Sequence, residues 1–325
     1  MKLATLDDGT RDGRLVVVSR DLRRTADASE AAPTMQACIE NWQDVAPTLQ
    51  SIYARLNQDP GRGRPFDPRA ALAPFPRAYQ WLDGSAFLNH GRLMEKAFDL
   101  KSPPGSQDVP LMYQGSADDL LGPCADIVLP REEDGIDFEG EFAVVLDDVP
   151  MGIAARDALA HVRLIMLAND VSLRALAPRE MATGFGFLHA KPSSAFAPVA
   201  ITPDELGQAW RDGRVHLPVH VHWNGNGFGN PNGGEMSFSF GRLIAHAAAT
   251  RRLRAGTIVG SGTVSNADRS AGSACIAERR AIEMIEHGAP RTPFMKSGDT
   301  IRLEVLDADG NPIFGRIEQT VRAAR

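Results

Sequence analysis

Glu139 and Glu141 stand two residues apart at the head of a run, Phe142-Ala143-Val144-Val145-Leu146, that reads as a buried strand. Side chains on a strand alternate between faces, so both acids point the same way, with Gly140 between them. Two carboxylates about 7 Å apart repel by roughly 2–3 kcal/mol at an effective dielectric of about 20. Burying them without compensation adds several kcal/mol per ion. The pattern invites a cation, and hard divalent ions such as Mg²⁺, Mn²⁺ or Ca²⁺ take carboxylate oxygens. Glu132, Glu133, Asp134 and Asp137 lie just upstream, and with them the pair equally describes a solvated strand end.

Other residues along the chain could do chemistry. Asp83 and His90 flank a turn containing Gly84 and Ser85. Asp170 ends the apolar run Leu164 to Ala168, and Arg174 comes four residues on. Strand ends facing loops are common ligand positions, although Asp170 could equally cap the next element of the chain. Lys191 precedes Pro192 in a glycine-rich stretch, where a solvated charge is the plainer reading. His216, His220 and His222 tempt one toward zinc. No Cys or carboxylate follows them at ligand spacing, and alternation with Val219, Val221 and Trp223 describes a half-exposed strand, so no zinc site is expected. Gly260-Ser261-Gly262 breaks an apolar strand and suggests close backbone approach to a ligand.

The elements that must position these groups can be read from local patterns. Lys2 to Val18 reads as a hairpin turning at Asp7 to Thr10. Thr34 to Leu56 reads as a helix capped by Thr34 and kinked at Pro47. Asn57 to Pro76 is proline-rich and reads as a linker. A loop passes into a helix around Leu88 to Lys96, and Ser239 to Leu253 is a further helix. The chain closes on a hairpin of Thr300 to Leu306 and Ile313 to Val321. The expected division is a small N-terminal domain with its linker, residues 1–75, and a larger domain, residues 76–325.

With 325 residues, 43% of them hydrophobic and 23% charged, the chain can bury a sizeable core. A net charge of −6 without a basic stripe argues against a nucleic-acid partner. Cys38, Cys124 and Cys275 are widely spaced, which suggests a reducing compartment and no thiolate metal site. MKLATLDDGT lacks an apolar signal core, and no stretch approaches a membrane span, so a cytoplasmic protein without a membrane partner is expected.

Taken together, these residues resemble the fumarylacetoacetate hydrolase family. The matching set is Asp83 with His90, Glu139-Gly140-Glu141, Asn169-Asp170 with Arg174, and Lys191 in Lys-Pro-Ser-Ser. It continues with Gly260-Ser261-Gly262-Thr263, Gly272-Ser273 leading to Glu278, and Ser297-Gly298-Asp299-Thr300-Ile301. The order agrees over about residues 79 to 325. No single motif is specific; the ordered set is. Ser194-Ala195 and Ala177 depart from the eukaryotic hydrolase, which has Gly-Thr and a substrate-binding glutamine there.

The resemblance implies a strand-rich α+β fold, with a mixed β-roll catalytic domain behind a small N-terminal α/β domain, and a homodimer. It implies a divalent metal on Asp83, Glu139, Glu141 and Asp170. His90 would be the general base, oriented by Glu278. Arg174 and Lys191 would stabilise developing negative charge, and Tyr113 and Thr263 would touch substrate. The implied reaction is hydrolysis of a C–C bond in a 1,3-diketone or 2,4-dioxo acid, such as an acylpyruvate. Hydration, decarboxylation or isomerisation of a 2-oxo acid uses the same metal and enolate chemistry. A metal- and acid-binding protein without turnover is the reading from outside enzymes.

Overall fold

The structure is a computed structural model; it describes residues 1–59, 61–99 and 103–324. Its backbone is an eleven-stranded sheet organised on the strand Gly140–Leu146. All seven residues of that strand are buried, as expected for an apolar, β-branched run covered on both faces. It pairs antiparallel with Val162–Asn169 on one side and with Ile258–Gly260 on the other. Trp81–Gly84 adds in parallel to Ile258–Gly260, and Met112–Gly115 closes that edge.

At the other end, Ala200–Ile201 joins Val162–Asn169 to Lys2–Leu6, and the hairpin of Lys2–Leu6 with Arg14–Val18 continues the sheet. One sheet therefore runs across residue 75. Lys2 pairs with Ile201, and the Lys2 ammonium donates to the Ile313 carbonyl at 2.9 Å.

Two apolar cores lie on opposite faces of this sheet. On one face, Leu3, Val17, Trp81, Val145 and Met166 pack with Ile39, Leu49, Ile52 and Leu56 of two helices, Met35–Glu40 and Trp42–Gln58. Thr34 caps the first, accepting from the Ala37 amide at 3.1 Å. The expected kink at Pro47 is instead a break at Asn41, whose Nδ2 donates to the Ala37 carbonyl. Pro47 sits inside the second helix, as its sixth residue, without ending it. On the opposite face, Phe142, Val144 and Ile165 meet Val221, Leu303, Phe314 and Ile317 of a five-stranded second sheet. That second sheet contains the expected closing hairpin, Thr300–Leu306 with Pro312–Ala323.

In the proline-rich segment from Asn57 to Pro76 the helix Trp42–Gln58 ends, and the described residues beyond it form a two-residue strand, Arg64–Pro65, and a short turn of helix, Pro68–Ala70; Pro60 lies outside the described residues. The fold is α+β and strand-rich. No helix among the described residues is long and apolar enough to cross a membrane.

Candidate active site

Strand register brings the acids together. Asp83 lies beside Gly260, and Gly260 beside Ala143, two residues along from Glu141. Glu141 lies beside Ala168, and Asp170 comes two residues later, just beyond the end of the Val162–Asn169 strand. Asp83, Glu141 and Asp170, all buried, thus offer carboxylate oxygens within 4.8 Å of one another. Only glycine fits at position 260: a Cβ there would lie 2.3 Å from both Asp83 Oδ1 and the Trp81 ring. Gly262, at φ +75°, turns its amide to donate to Asp83 Oδ1 at 3.1 Å.

Three buried acids in one place need compensation, and they receive it unevenly. Asp170 is well supplied. Tyr113 donates its hydroxyl to Asp170 Oδ2 at 2.6 Å, Lys191 Nζ reaches the same oxygen at 2.5 Å, and Ser194 donates to Oδ1 at 2.5 Å. Ser194 in turn accepts from Trp81 Nε1 at 3.1 Å. Glu141 receives nothing: neither of its oxygens meets an N–H or O–H donor. Burial, then the Asp83 charge, pushes its pKa well up. Burial, then Asp170, pushes Asp83 up to about 8. Either a proton shared with Asp83 or a cation is what can fill the gap between these oxygens. Hard oxygen donors at this spacing fit Mg²⁺, Mn²⁺ or Ca²⁺.

Glu139 stands outside that trio. Lys191 Nζ lies 2.8 Å from its Oε2, and Arg174 Nη2 pairs with its Oε1. Burial opposes ionisation of Glu139, but Lys191 and Arg174 outweigh it and hold the carboxyl well below the usual range. Burial likewise opposes the charge on Lys191, and Asp170 with Glu139 reverses the effect and raises its pKa. The two acids on one strand face thus have different partners.

A histidine–carboxylate pair stands near the acids. His90 and Glu278 each occupy the third position of a helix, Leu88–Phe98 and Ile276–His287. His90 Nδ1 lies 2.9 Å from Glu278 Oε2, and Glu278 is 1% exposed. A carboxylate at this position can accept from the imidazole Nδ1–H, the tautomer in which Nε2 is the acceptor. Cys275 caps the second helix, its Sγ accepting from the Glu278 amide at 3.3 Å.

Of the residues expected to touch substrate, Tyr113 lies against Asp170, and its ring packs edge-on against Phe187 at 5.2 Å. Thr263 is buried directly after Gly262. Asp137, read from sequence only as one of several upstream acids, is fully buried and bonded to Arg174 and to two helix amides. The bond from Ser194 to Asp170, and that from Trp81 to Ser194, carried no local signal. Among the described residues, Asp83, Glu141 and Asp170 are the one group of three whose ligand atoms lie close enough together to hold an ion.

Fold and site together define a class: a strand-rich protein with a buried acidic centre served by a histidine–carboxylate pair. Residues 80–322 match the family model of the fumarylacetoacetate hydrolase C-terminal domain, and residues 1–77 match that of fumarylacetoacetase N-terminal domain 2. The chain belongs to the fumarylacetoacetate hydrolase family.

Its relatives include a 2,4-didehydro-3-deoxy-L-rhamnonate hydrolase of Sphingomonas sp. (strain SKA58), 29% identical over 47% of this chain and 52% of the relative. A mitochondrial oxaloacetate tautomerase of Xenopus laevis is 27% identical over 63% of this chain and 58% of its own. The chain thus spans a little over half the length of these curated relatives. Among solved structures, maleylpyruvate hydrolase from Sphingobium sp. SYK-6, in complex with manganese(II) and pyruvate, is similar with a TM-score of 0.66 and 16% identity over 100% of both chains. A 2-hydroxyhepta-2,4-diene-1,7-dioate isomerase from Mycobacterium marinum matches with a TM-score of 0.53 and 18% identity over 80% of this chain and 84% of that one. The curated relatives named here are thus a hydrolase and a tautomerase.

Proposed function

We propose that this protein is a divalent-metal-dependent hydrolase that cleaves a C–C bond in a 2,4-dioxo acid of the acylpyruvate kind. The observation that carries the reading is Glu141: a buried carboxylate without a donor, facing Asp83 and Asp170, in a site also served by the His90–Glu278 pair. Asp83, Glu141 and Asp170 would hold the ion. Manganese and pyruvate in the related maleylpyruvate hydrolase support Mn²⁺ or Mg²⁺ and a 2-oxo acid. When bound, the ion supplies Lewis acidity toward the neighbouring oxygens of a dioxo acid.

The chain's own groups divide the remaining work. His90 Nε2 takes a proton from water, while Glu278 holds the Nδ1 proton and stabilises the imidazolium. The water oxygen attacks the keto carbon. Lys191 has three N–H donors and spends two on Glu139 and Asp170, which leaves one for the oxygen that becomes negative. Arg174 spends Nε on Asp137 and Nη2 on Glu139, and its other guanidinium N–H groups remain to donate. Each such donor is worth roughly 3–4 kcal/mol in comparable sites. The C–C bond then breaks, its electrons pass to the enolate fragment, and His90 returns the proton to carbon.

A second reading is enol–keto isomerisation of a 2-oxo acid, favoured by the tautomerases and isomerases among the relatives. The same base would move a proton without attack by water. Loss of diketone absorbance from acylpyruvates with Mn²⁺ or Mg²⁺, together with the appearance of pyruvate, supports hydrolysis. Binding without turnover across a broad panel of 2-oxo acids would overturn an enzymatic role. The active form is taken to be a homodimer; sedimentation at micromolar protein as a single species of monomer mass would contradict that.

A further inference from the structure

We infer that Asp137 is a positioning residue, one carboxylate that sets Arg174 and the His90–Glu278 pair in register with each other. The inference rests on the catalytic reading above. Asp137 is fully buried on the two-residue strand Ile136–Asp137, which pairs with Ser172–Leu173 immediately before Arg174. The Arg174 amide donates to the Gly135 carbonyl at 2.9 Å, so its backbone is already tied to the same turn. Its side chain is tied there too: Arg174 Nε donates to Asp137 Oδ2 at 2.8 Å.

The same carboxylate faces the start of the Ile276–His287 helix. Oδ1 accepts from the Ile276 amide at 2.7 Å, and Oδ2 accepts from the Ala277 amide at 2.9 Å. Both amides belong to the first turn, where the helix itself offers no acceptor, and a negative charge there is also favourable. The next residue is Glu278, the partner of His90. Asp137 therefore sits between the residue that would receive developing charge and the residue that orients the base, and touches neither His90 nor the acidic trio.

All three partners of Asp137 are donors. An asparagine there must turn its NH₂ toward one of them, so the isosteric replacement cannot keep all three bonds. A glutamate keeps the charge and shifts it by one methylene. The test compares Mg²⁺-loaded wild type with Asp137→Asn and Asp137→Glu, beside His90→Ala and Glu278→Gln. Three quantities are read: Mg²⁺ affinity by calorimetry, kcat on an acylpyruvate, and the nitrogen NMR shift of His90 Nδ1.

Supporting outcomes are Mg²⁺ affinity within about threefold of wild type, kcat lower by about 10–100-fold, and His90 Nδ1 moved toward its value in Glu278→Gln. A purely structural ion pair would lower the melting temperature and leave His90 Nδ1 in place below it. If the asparagine variant does not fold, the glutamate variant decides alone. Folded variants with His90 Nδ1 unmoved and kcat within about threefold of wild type overturn the inference. Full turnover in His90→Ala would overturn the catalytic reading instead, and the NMR shift would still judge Asp137.

Discussion

His90 Nδ1 and Glu278 Oε2 meet at 2.9 Å from the third positions of two different helices, and the carboxylate is buried while the imidazole keeps an open edge. That arrangement suits a base, and His90 is not one of the three residues whose ligand atoms converge. His90→Ala should therefore bind Mn²⁺ as wild type does and lose about 10²–10⁴-fold in kcat. Glu278→Gln should lose less, because the imidazole survives and only its orienting charge is gone. Calorimetry beside turnover checks both; a His90→Ala enzyme that no longer binds Mn²⁺ would assign the histidine to the metal.

The acidic residues should separate in the same way. Glu141→Gln removes the charge of a carboxylate that has no other partner and should weaken Mn²⁺ binding by about 100-fold or more. Glu139→Gln should weaken it less, since Lys191 and Arg174 occupy that carboxylate. Its larger effect should fall on kcat, through the two cations it places. Equal losses of Mn²⁺ affinity in both variants would make Glu139 a fourth ligand.

Acidic clustering also sets the pH dependence. In the metal-free protein Asp83 is raised to about 8, by burial and then by Asp170. A carboxyl raised on folding favours the folded state only while it holds its proton, so that stability is lost as pH climbs from about 4 through about 8. A cation replaces the proton. Mg²⁺ should then release about one proton or more per ion near neutrality, bind more tightly as pH rises, and raise the melting temperature more at about pH 9 than at about pH 6. Calorimetry in buffers of different ionisation enthalpy reads the proton count. Binding without proton release would mean that the trio is already ionised.

Much of the site was legible because its acids sit where apolar runs end. Glu141 opens the Phe142–Leu146 run, and Asp170 closes Leu164–Ala168, so the strand pattern and the charge marked the same places. The second sheet's closing hairpin and the Thr34 cap were legible for the same local reasons. What escaped depends on residues far apart in the chain. Asp137 looked like one acid in a solvated cluster because its partners are Arg174, Ile276 and Ala277. Glu139 and Glu141 looked equivalent because period-2 alternation says which face a side chain takes, not which cation reaches it. The helix break fell at Asn41 and not at Pro47, which the second helix carries as its sixth residue without ending.

Close packing around Asp83 gives a steric prediction. Gly260→Ala places a methyl 2.3 Å from Asp83 Oδ1 and from the Trp81 ring, neither of which has room to withdraw. The cost should be about 1–3 kcal/mol of stability, with weaker Mn²⁺ binding as Asp83 shifts. Chemical denaturation with and without the ion checks it, and an unchanged midpoint in both would show that the strands part more easily than their register implies.

Hydrolysis, as opposed to proton transfer alone, is tested most directly by running the reaction on an acylpyruvate in water enriched in the heavy oxygen isotope. Pyruvate should appear together with a second carboxylic acid that carries one heavy oxygen, formed only with Mn²⁺ or Mg²⁺ and lost in His90→Ala. Rapid enol–keto interconversion without pyruvate and without label in any carboxylate would contradict C–C hydrolysis.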